Sequence, residues 1–225
     1  MKRNNIVKAS VIVFSTLLTM GCSSSGNAPQ VSEDGMQLKV DKRSTVAYQK
    51  EGVNFAEYTQ VQILPSQVAF KKNWQRDYNR NQATLSSRIK DEDVIRIKSG
   101  VAKLFDEVFK EEFAKAGDNP LVDKAGTATL IMKPSIINLD IHAPDVQSAT
   151  RSTTYVSEAG RATLYLELFD GVSGEILARI IDSEIVGDNS YTTWANRVTN
   201  TADAKRTIRK WAKKLREKYD QAQAK

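Results

Sequence analysis

The chain is poor in the residues on which most reactive protein chemistry depends, with one cysteine and one histidine among 225 residues. A disulfide framework needs paired cysteines, so none is built within this chain. A zinc centre needs several histidine, cysteine or carboxylate ligands in a set geometry, which effectively excludes a histidine-ligated metal site. Any Ser-His-Asp triad would have to use His142. Asn138, Asp140 and His142 share one face of a predicted strand. Residues two apart on a strand lie roughly 7 Å from each other, too far for a direct Asp–His hydrogen bond. The trio therefore reads as the solvated face of a half-buried strand. No glycine loop suited to phosphate occurs, because Gly171 and Gly174 fall in a hairpin turn. Internal repeats and heptad runs are absent, and no stretch after residue 21 is apolar for long enough to span a bilayer.

What is present begins at the N-terminus. Lys2, Arg3 and Lys8 form a basic start, an apolar run follows over 9–20, and Thr19-Met20-Gly21-Cys22 closes it before a run of serines. That order predicts a secretory signal over residues 1–21. Cys22 after the small Gly21 resembles the lipobox of bacterial lipoproteins, although Thr19 and Met20 depart from the commoner Leu-Ala or Leu-Ser. The resemblance implies cleavage before Cys22, a covalent diacylglycerol and N-acyl lipid on its thiol and amine, and no other cofactor. Acylation accounts for a lone thiol in an oxidising compartment, where even cysteine counts are the rule. Several acyl chains, each contributing about 0.8 kcal/mol per buried methylene, anchor far more durably than one. Ser23, where an aspartate would signal retention at the inner membrane, implies an outer-membrane anchor with the domain in the periplasm.

Loss of the leader removes three positive charges and reduces the formal +6 to +3. Residues 201–225 hold nine basic and three acidic residues, so the rest of the mature chain carries about −3. A mildly acidic body thus ends in a basic helix.

Residues 22–37 are expected to be a lipidated, flexible tether, and 38–225 a single globular domain. Leu38, Val40 and 46–48 are short extended candidates. Residues 58–70 read as a strand interrupted by Pro65, and 71–90 as a polar stretch too long for an ordinary connection, hence a mobile or functional loop. Over 91–116, Val94, Ile97, Val101, Leu104, Phe105, Val108 and Phe109 recur at helical spacing behind an acidic first turn, and Gly117 and Pro120 stop the helix. Residues 127–142 read as a strand whose apolar parity flips, which predicts a β-bulge near 134–136, and 143–158 as a mobile Ser/Thr-rich stretch. Residues 161–169 alternate cleanly, with Ala162, Leu164, Leu166 and Leu168 inward, then turn at 170–174 into a partner strand over 175–186. Residues 201–221 close the chain as a helix burying Ile208, Trp211, Ala212, Leu215 and Tyr219. The order predicts an α+β two-layer sandwich: a mainly antiparallel sheet of about four strands with two long helices on one face.

Two basic segments are candidate binding regions. Lys71, Lys72, Trp74, Arg76 and Tyr78 interleave cations with aromatic rings, a pattern able to stack saccharide rings and contact anions. The plainer reading is a solvated loop with Trp74 packed back on the domain. An exported address argues against nucleic acid as a partner. On the last helix, Lys210, Lys213 and Lys214 stand among the cations flanking the apolar stripe, either as a solvated face or as a dock for anionic lipid headgroups or an acidic envelope protein. Glu167 and Asp170 are the nearest candidates for paired-carboxylate glycan chemistry, but a strand exterior and a turn opener explain them as well.

The hairpin Glu167-Leu-Phe-Asp170 with Gly174-Glu175-Ile-Leu-Ala178 and Asp182 resembles that of an uncharacterised lipoprotein family, domain of unknown function 3313. Tyr58, Val61, Ile63 and Pro65 resemble its first strand, and Trp194 with Trp211-Ala212 its terminal segment; Ser173 replaces the commoner threonine. The resemblance implies a lipoprotein without established activity and with no catalytic residues to transfer. The expected role is a non-catalytic binding or envelope-organising module, without metal. The alternatives are a carboxylate-based glycan hydrolase or an accessory activator of a cell-envelope enzyme, the latter needing a long tether.

Overall fold

A computed structural model describes residues 28–115, 120–142, 154–156, 159–187, 193–195 and 197–224. The signal 1–21, Cys22 and most of the 143–158 stretch lie outside the described residues. So does Gly117, one of the two expected helix stops.

Among the described residues nine strands and three α-helices follow in chain order: β1 (Gln37–Asp41), β2 (Thr45–Gln49), β3 (Gln60–Ile63), β4 (Gln67–Phe70), α1 (Trp74–Arg80), α2 (Asp91–Ala114), β5 (Thr129–Ile141), β6 (Thr154–Val156), β7 (Gly160–Asp170), β8 (Ile176–Val186), β9 (Thr193–Ala195) and α3 (Arg197–Gln223). Seven strands form one mixed sheet in the order β1-β2-β8-β7-β5-β3, with β4 also on β5, and β6 pairs β9 in a separate ribbon. The α+β class stands, but four strands was an undercount. The short extended candidates around 38–40 and 46–48 are strands β1 and β2, and they join the main sheet because β2 pairs with β8 and β1 with β2.

The sheet is also less antiparallel than expected. Residues 58–70 break at Pro65 into β3 and β4, which run parallel to β5 along the same edge. Proline has no N–H for the ladder, and Ser66 beside it turns to α2 instead, donating its N–H to Asp106 Oδ1 at 3.0 Å.

Both long helices contribute to one apolar cluster on one face of the sheet. Phe105, Val108, Phe109 and Phe113 of α2 and Ile208, Trp211, Ala212 and Tyr219 of α3 meet Leu164, Leu166 and Leu168 of β7 there. The acidic first turn of α2 places Asp93 Oδ2 on the Lys90 N–H at 3.1 Å, satisfying one of the unpaired donors at a helix start. No helix among the described residues is long and apolar enough to cross a membrane.

The parity flip in β5 is real but falls later than 134–136. Leu130, Met132, Pro134 and Ile136 are buried, Leu139 is buried in the opposite parity, and the register with β7 shifts between Ile137 and Asp140. Asn138 takes φ 52° there. A short polar side chain tolerates that left-handed conformation better than the flanking Ile137 or Leu139 would.

The domain begins before the expected boundary at 38. Met36 is fully buried, Tyr48 Oη donates to the Pro29 carbonyl at 3.1 Å, and Asp34 forms a bidentate pair with Arg179 of β8 at 2.7 and 3.2 Å. Residues 29–36 thus fold onto the sheet, where Arg179 also faces Glu167 at 3.5 Å. The guanidinium and the Ser32 hydroxyl hold the Asp34 carboxyl down to about 2.

Candidate functional site

The stretch 71–90 is folded, which corrects its reading as a loop. Trp74 opens α1, is buried, stacks on Phe70 of β4 with ring centroids 3.9 Å apart, and donates its indole N–H to the Ile141 carbonyl at 3.1 Å. Asn79 then exchanges a reciprocal pair of hydrogen bonds with the Ile89 backbone, at 2.7 and 2.8 Å, and ties the return of the chain to α1. The spacing of Trp74 and Tyr78 places both rings on one helical face, with centroids 6.1 Å apart.

Around this helix lies a polar hollow of about 250 Å³, lined by Lys71, Lys72, Trp74, Asp77, Tyr78, Asn81, Asp140, Ile141 and His142. Four of the five sequence-predicted residues of this segment therefore converge. Arg76 does not; it is well exposed and pairs with its neighbour Asp77 at 3.1 Å. Lys71 reaches Asp140 Oδ2 at 2.9 Å. Burial pushes the Tyr78 hydroxyl pKa up, so it stays a protonated donor at neutral pH. Ammonium, carboxylate, phenol, amide and imidazole groups at the rim of one hollow can grip a polyhydroxylated ligand. Strand periodicity places Asp140 and His142 on the strand exterior; their proximity to α1 is a long-range fact that it does not carry.

Two exposed lysines of the basic terminal helix reach carboxylates of β8. Lys214 reaches Asp182 Oδ2 at 2.8 Å, and the Thr45 hydroxyl donates to the other oxygen of that buried carboxylate at 2.8 Å. Lys210 pairs with Glu184 at 2.7 Å. Arg209 binds the buried Glu112 of α2 at 2.9 Å; burial alone would raise the Glu112 pKa, but hydrogen bonds from Lys115 and Arg209 hold it below the ordinary value. Lys213 stays exposed. Two of the three proposed docking lysines are thus committed to β8.

Glu167 and Asp170 have internal roles. Glu167 lies 3.2 Å from Lys133 and 3.5 Å from Arg179. Asp170 Oδ1 accepts from the Ser173 N–H at 2.6 Å, the Ser173 hydroxyl at 2.8 Å and the Val172 N–H at 3.0 Å, which holds its carboxyl down to about 2. Tyr58 donates to its other oxygen at 3.1 Å, and burial followed by that bond pushes the phenol up to about 12. Gly171 completes the turn, since a Cβ there would stand 2.6 Å from the Thr129 carbonyl oxygen.

A second concavity of about 390 Å³, missed from the sequence, opens between α2 and α3 over the sheet. Among the described residues no group of His, Cys, Asp and Glu side chains could hold a metal ion.

No curated protein is significantly similar to the chain. Among solved structures, the PelC dodecamer from Paraburkholderia phytofirmans is similar at 11% identity and a TM-score of 0.35, covering 76% of this chain and 97% of that one. A Xanthomonas campestris protein of the DUF330 family is similar at 10% identity and a TM-score of 0.27, covering 69% of this chain and 80% of that one. The family model described as "Protein of unknown function (DUF3313)" matches residues 31–215, from the segment folded over Arg179 to the middle of α3, and the chain belongs to that family.

Proposed function

We propose that this protein is an outer-membrane lipoprotein, anchored through Cys22, whose periplasmic domain is a non-catalytic binding module that contacts glycan or other envelope components through the hollow beside α1. The observation that carries this reading is the convergence of Lys71, Lys72, Tyr78, Asn81 and His142 on one polar hollow walled by Trp74. The leader and Cys22 support the address. The Pro29 carbonyl is already bound by Tyr48 of β2, and six residues separate Pro29 from Cys22. At no more than about 3.5 Å per residue, such a link keeps the domain near its anchor. That favours a local partner over the activation of an enzyme across the periplasm.

The hydrolase alternative needs an acid with a raised pKa beside a second carboxylate. The nearest candidate acids are instead held in internal contacts, Glu167 by Lys133 and Arg179 and Asp170 by the backbone of its own turn. This supports the binding reading.

The test has two arms. Labelled palmitate should enter the wild-type chain and not Cys22→Ala, with the wild type fractionating to the outer membrane; equal labelling would defeat the anchor. A photo-crosslinking residue at Lys72 should capture glycan strands or one envelope protein, and a second at exposed Lys213 far less. Equal capture at both positions would defeat the hollow as the contact site.

A further inference from the structure

The two long helices pack on one face of the main sheet, and the contacts of α3 identify the side chains that point to the other. Lys210 and Lys214 reach Glu184 and Asp182 of β8, so Ile181, Ser183 and Ile185, at the alternate positions, face away from the helices. Tyr165 of β7 is the register partner of Ile181 and shares that face. A sheet face that meets only water ordinarily presents polar residues. This one carries Ile131 and Ile137 of β5 beside Ile181 and Ile185, and Ile185 is 38% exposed. Exposed apolar surface of this kind marks a contact.

The charges on this face are paired with one another. Lys133, Glu167, Arg179 and Asp34 form a row of alternating sign, with successive contacts of 3.2, 3.5 and 2.7 Å, so the row has no net charge. Lys133 and Arg179 also lie over the Phe169 and Tyr165 rings, each 5.7 Å from the centroid. Those cations occupy the ring faces on which a sugar would stack.

The path of the chain identifies what meets this face. Tyr48, the register partner of Arg179, donates to the Pro29 carbonyl, and Arg179 itself holds Asp34. Residues 29–34 therefore run over the helix-free side. The seven steps from Cys22 to Pro29 span at most about 25 Å. With Cys22 as a lipid anchor, the bilayer lies within that reach of the helix-free face. To bring the helices to the membrane instead, the same link would have to round the sheet edge and pass a helix layer about 10 Å thick. Val31, on the segment itself, is 48% exposed and adds a further apolar side chain.

We propose that the helix-free face of the sheet is a lipid-contacting surface, lying against the membrane that holds Cys22, with Val31 and Ile185 in the headgroup region. The proposal rests on the anchor reading and goes beyond it by fixing which side of the domain meets lipid.

The test uses the lipidated full-length protein reconstituted in phosphatidylcholine vesicles. Cys22 is the only cysteine, and with its sulfur acylated a thiol-reactive fluorophore labels only a cysteine introduced elsewhere. Fluorophores are placed at Ile185→Cys and Ser183→Cys, and at Lys213→Cys on exposed α3 across the sheet, and a lipid bearing a nitroxide on its headgroup serves as quencher. Quenching should be several-fold stronger at 183 and 185 than at 213. Resistance to limited proteolysis checks the folding of each variant, and two positions on the sheet keep the comparison decisive if one fails to fold. Flotation separates the two readings. Protein that does not float with the vesicles would overturn the anchor and this orientation together, whereas protein that floats but is quenched equally at all positions, or most at 213, would overturn the orientation alone. Disulfide-linked dimers through Ile185→Cys, without quenching, would assign the face to a second copy of the chain.

Discussion

Two basic segments of this chain look alike in sequence and are used in opposite ways. On α3, Lys214 and Lys210 reach down to Asp182 and Glu184 of β8, so their charge holds a helix to a sheet. Beside α1, Lys71 makes only a surface pair with Asp140 and lines an open hollow with Lys72, and the buried member of that segment is an aromatic, Trp74. The difference lies in what each packs against. β8 presents carboxylates at alternate positions beneath α3, whereas α1 sits at the far edge of the sheet, held by the Trp74 stack on Phe70. Cation density alone therefore does not mark a binding surface.

The largest expected effect breaks the aromatic half of this comparison. Trp74→Ala removes a buried ring, its stack and its hydrogen bond, and should cost about 3–5 kcal/mol in urea denaturation. A cost under about 1 kcal/mol would show that the α1 segment is held by something else.

Next comes the ionic half. Lys214→Met leaves the Asp182 side chain, only 4% exposed, with Thr45 as its remaining side-chain partner. The expected loss is about 2–4 kcal/mol, and adding Asp182→Asn should recover much of it, because the penalty lies in the uncompensated buried charge. By contrast, Lys71→Gln with Lys72→Gln should change stability by under about 1 kcal/mol, since both are exposed and the Asp140 pair is a surface one. A loss matching that of Lys214→Met would erase the distinction between the segments.

Gly100→Ala should stabilise the protein by about 0.5–1 kcal/mol, since open space awaits the added methyl. The smallest effect concerns pH. Asp34 is held at about 2 against an ordinary 3.8, so its pairing with Arg179 contributes stability above about 3.8 that is lost as pH falls through 2. The Met36 methyl resonance should shift from a buried to a coil-like position over that window. Arg179→Gln should shift it towards the coil-like position at neutral pH.

The elements legible in the sequence were those that carry their own period. The Ile208–Trp211–Tyr219 face of α3 and the alternation of β7 bury the residues expected of them, while the α2 stripe is buried at Phe105, Val108 and Phe109, half-buried at Val101 and Leu104, and outside the core at Val94 and Ile97. The hairpin at Asp170 was legible because its turn is closed by local bonds to Val172 and Ser173. Helix α1 carried a signal in the four-residue spacing of Trp74 and Tyr78, masked by the polar residues between. Strands β1 and β2 were legible as short extended candidates, but their place in the sheet is set by the pairing of β2 with β8. The bulge was legible as a parity change, but its position at Asn138 was set by the pairing with β7.

The sequence by itself determined the α+β class, the main helices, the central hairpin and the scarcity of histidine and cysteine, because periodicity, turn chemistry and composition are local. Only the tertiary structure decided which lysines are internal ion pairs, that β3 and β4 run parallel to β5, that residues 29–36 close over Arg179, and that two hollows exist. Each of these rests on contacts between distant residues, as when Lys214 meets Asp182 or Trp74 meets Ile141. A side chain's charge or shape is written in the sequence, but its partner is chosen by the fold.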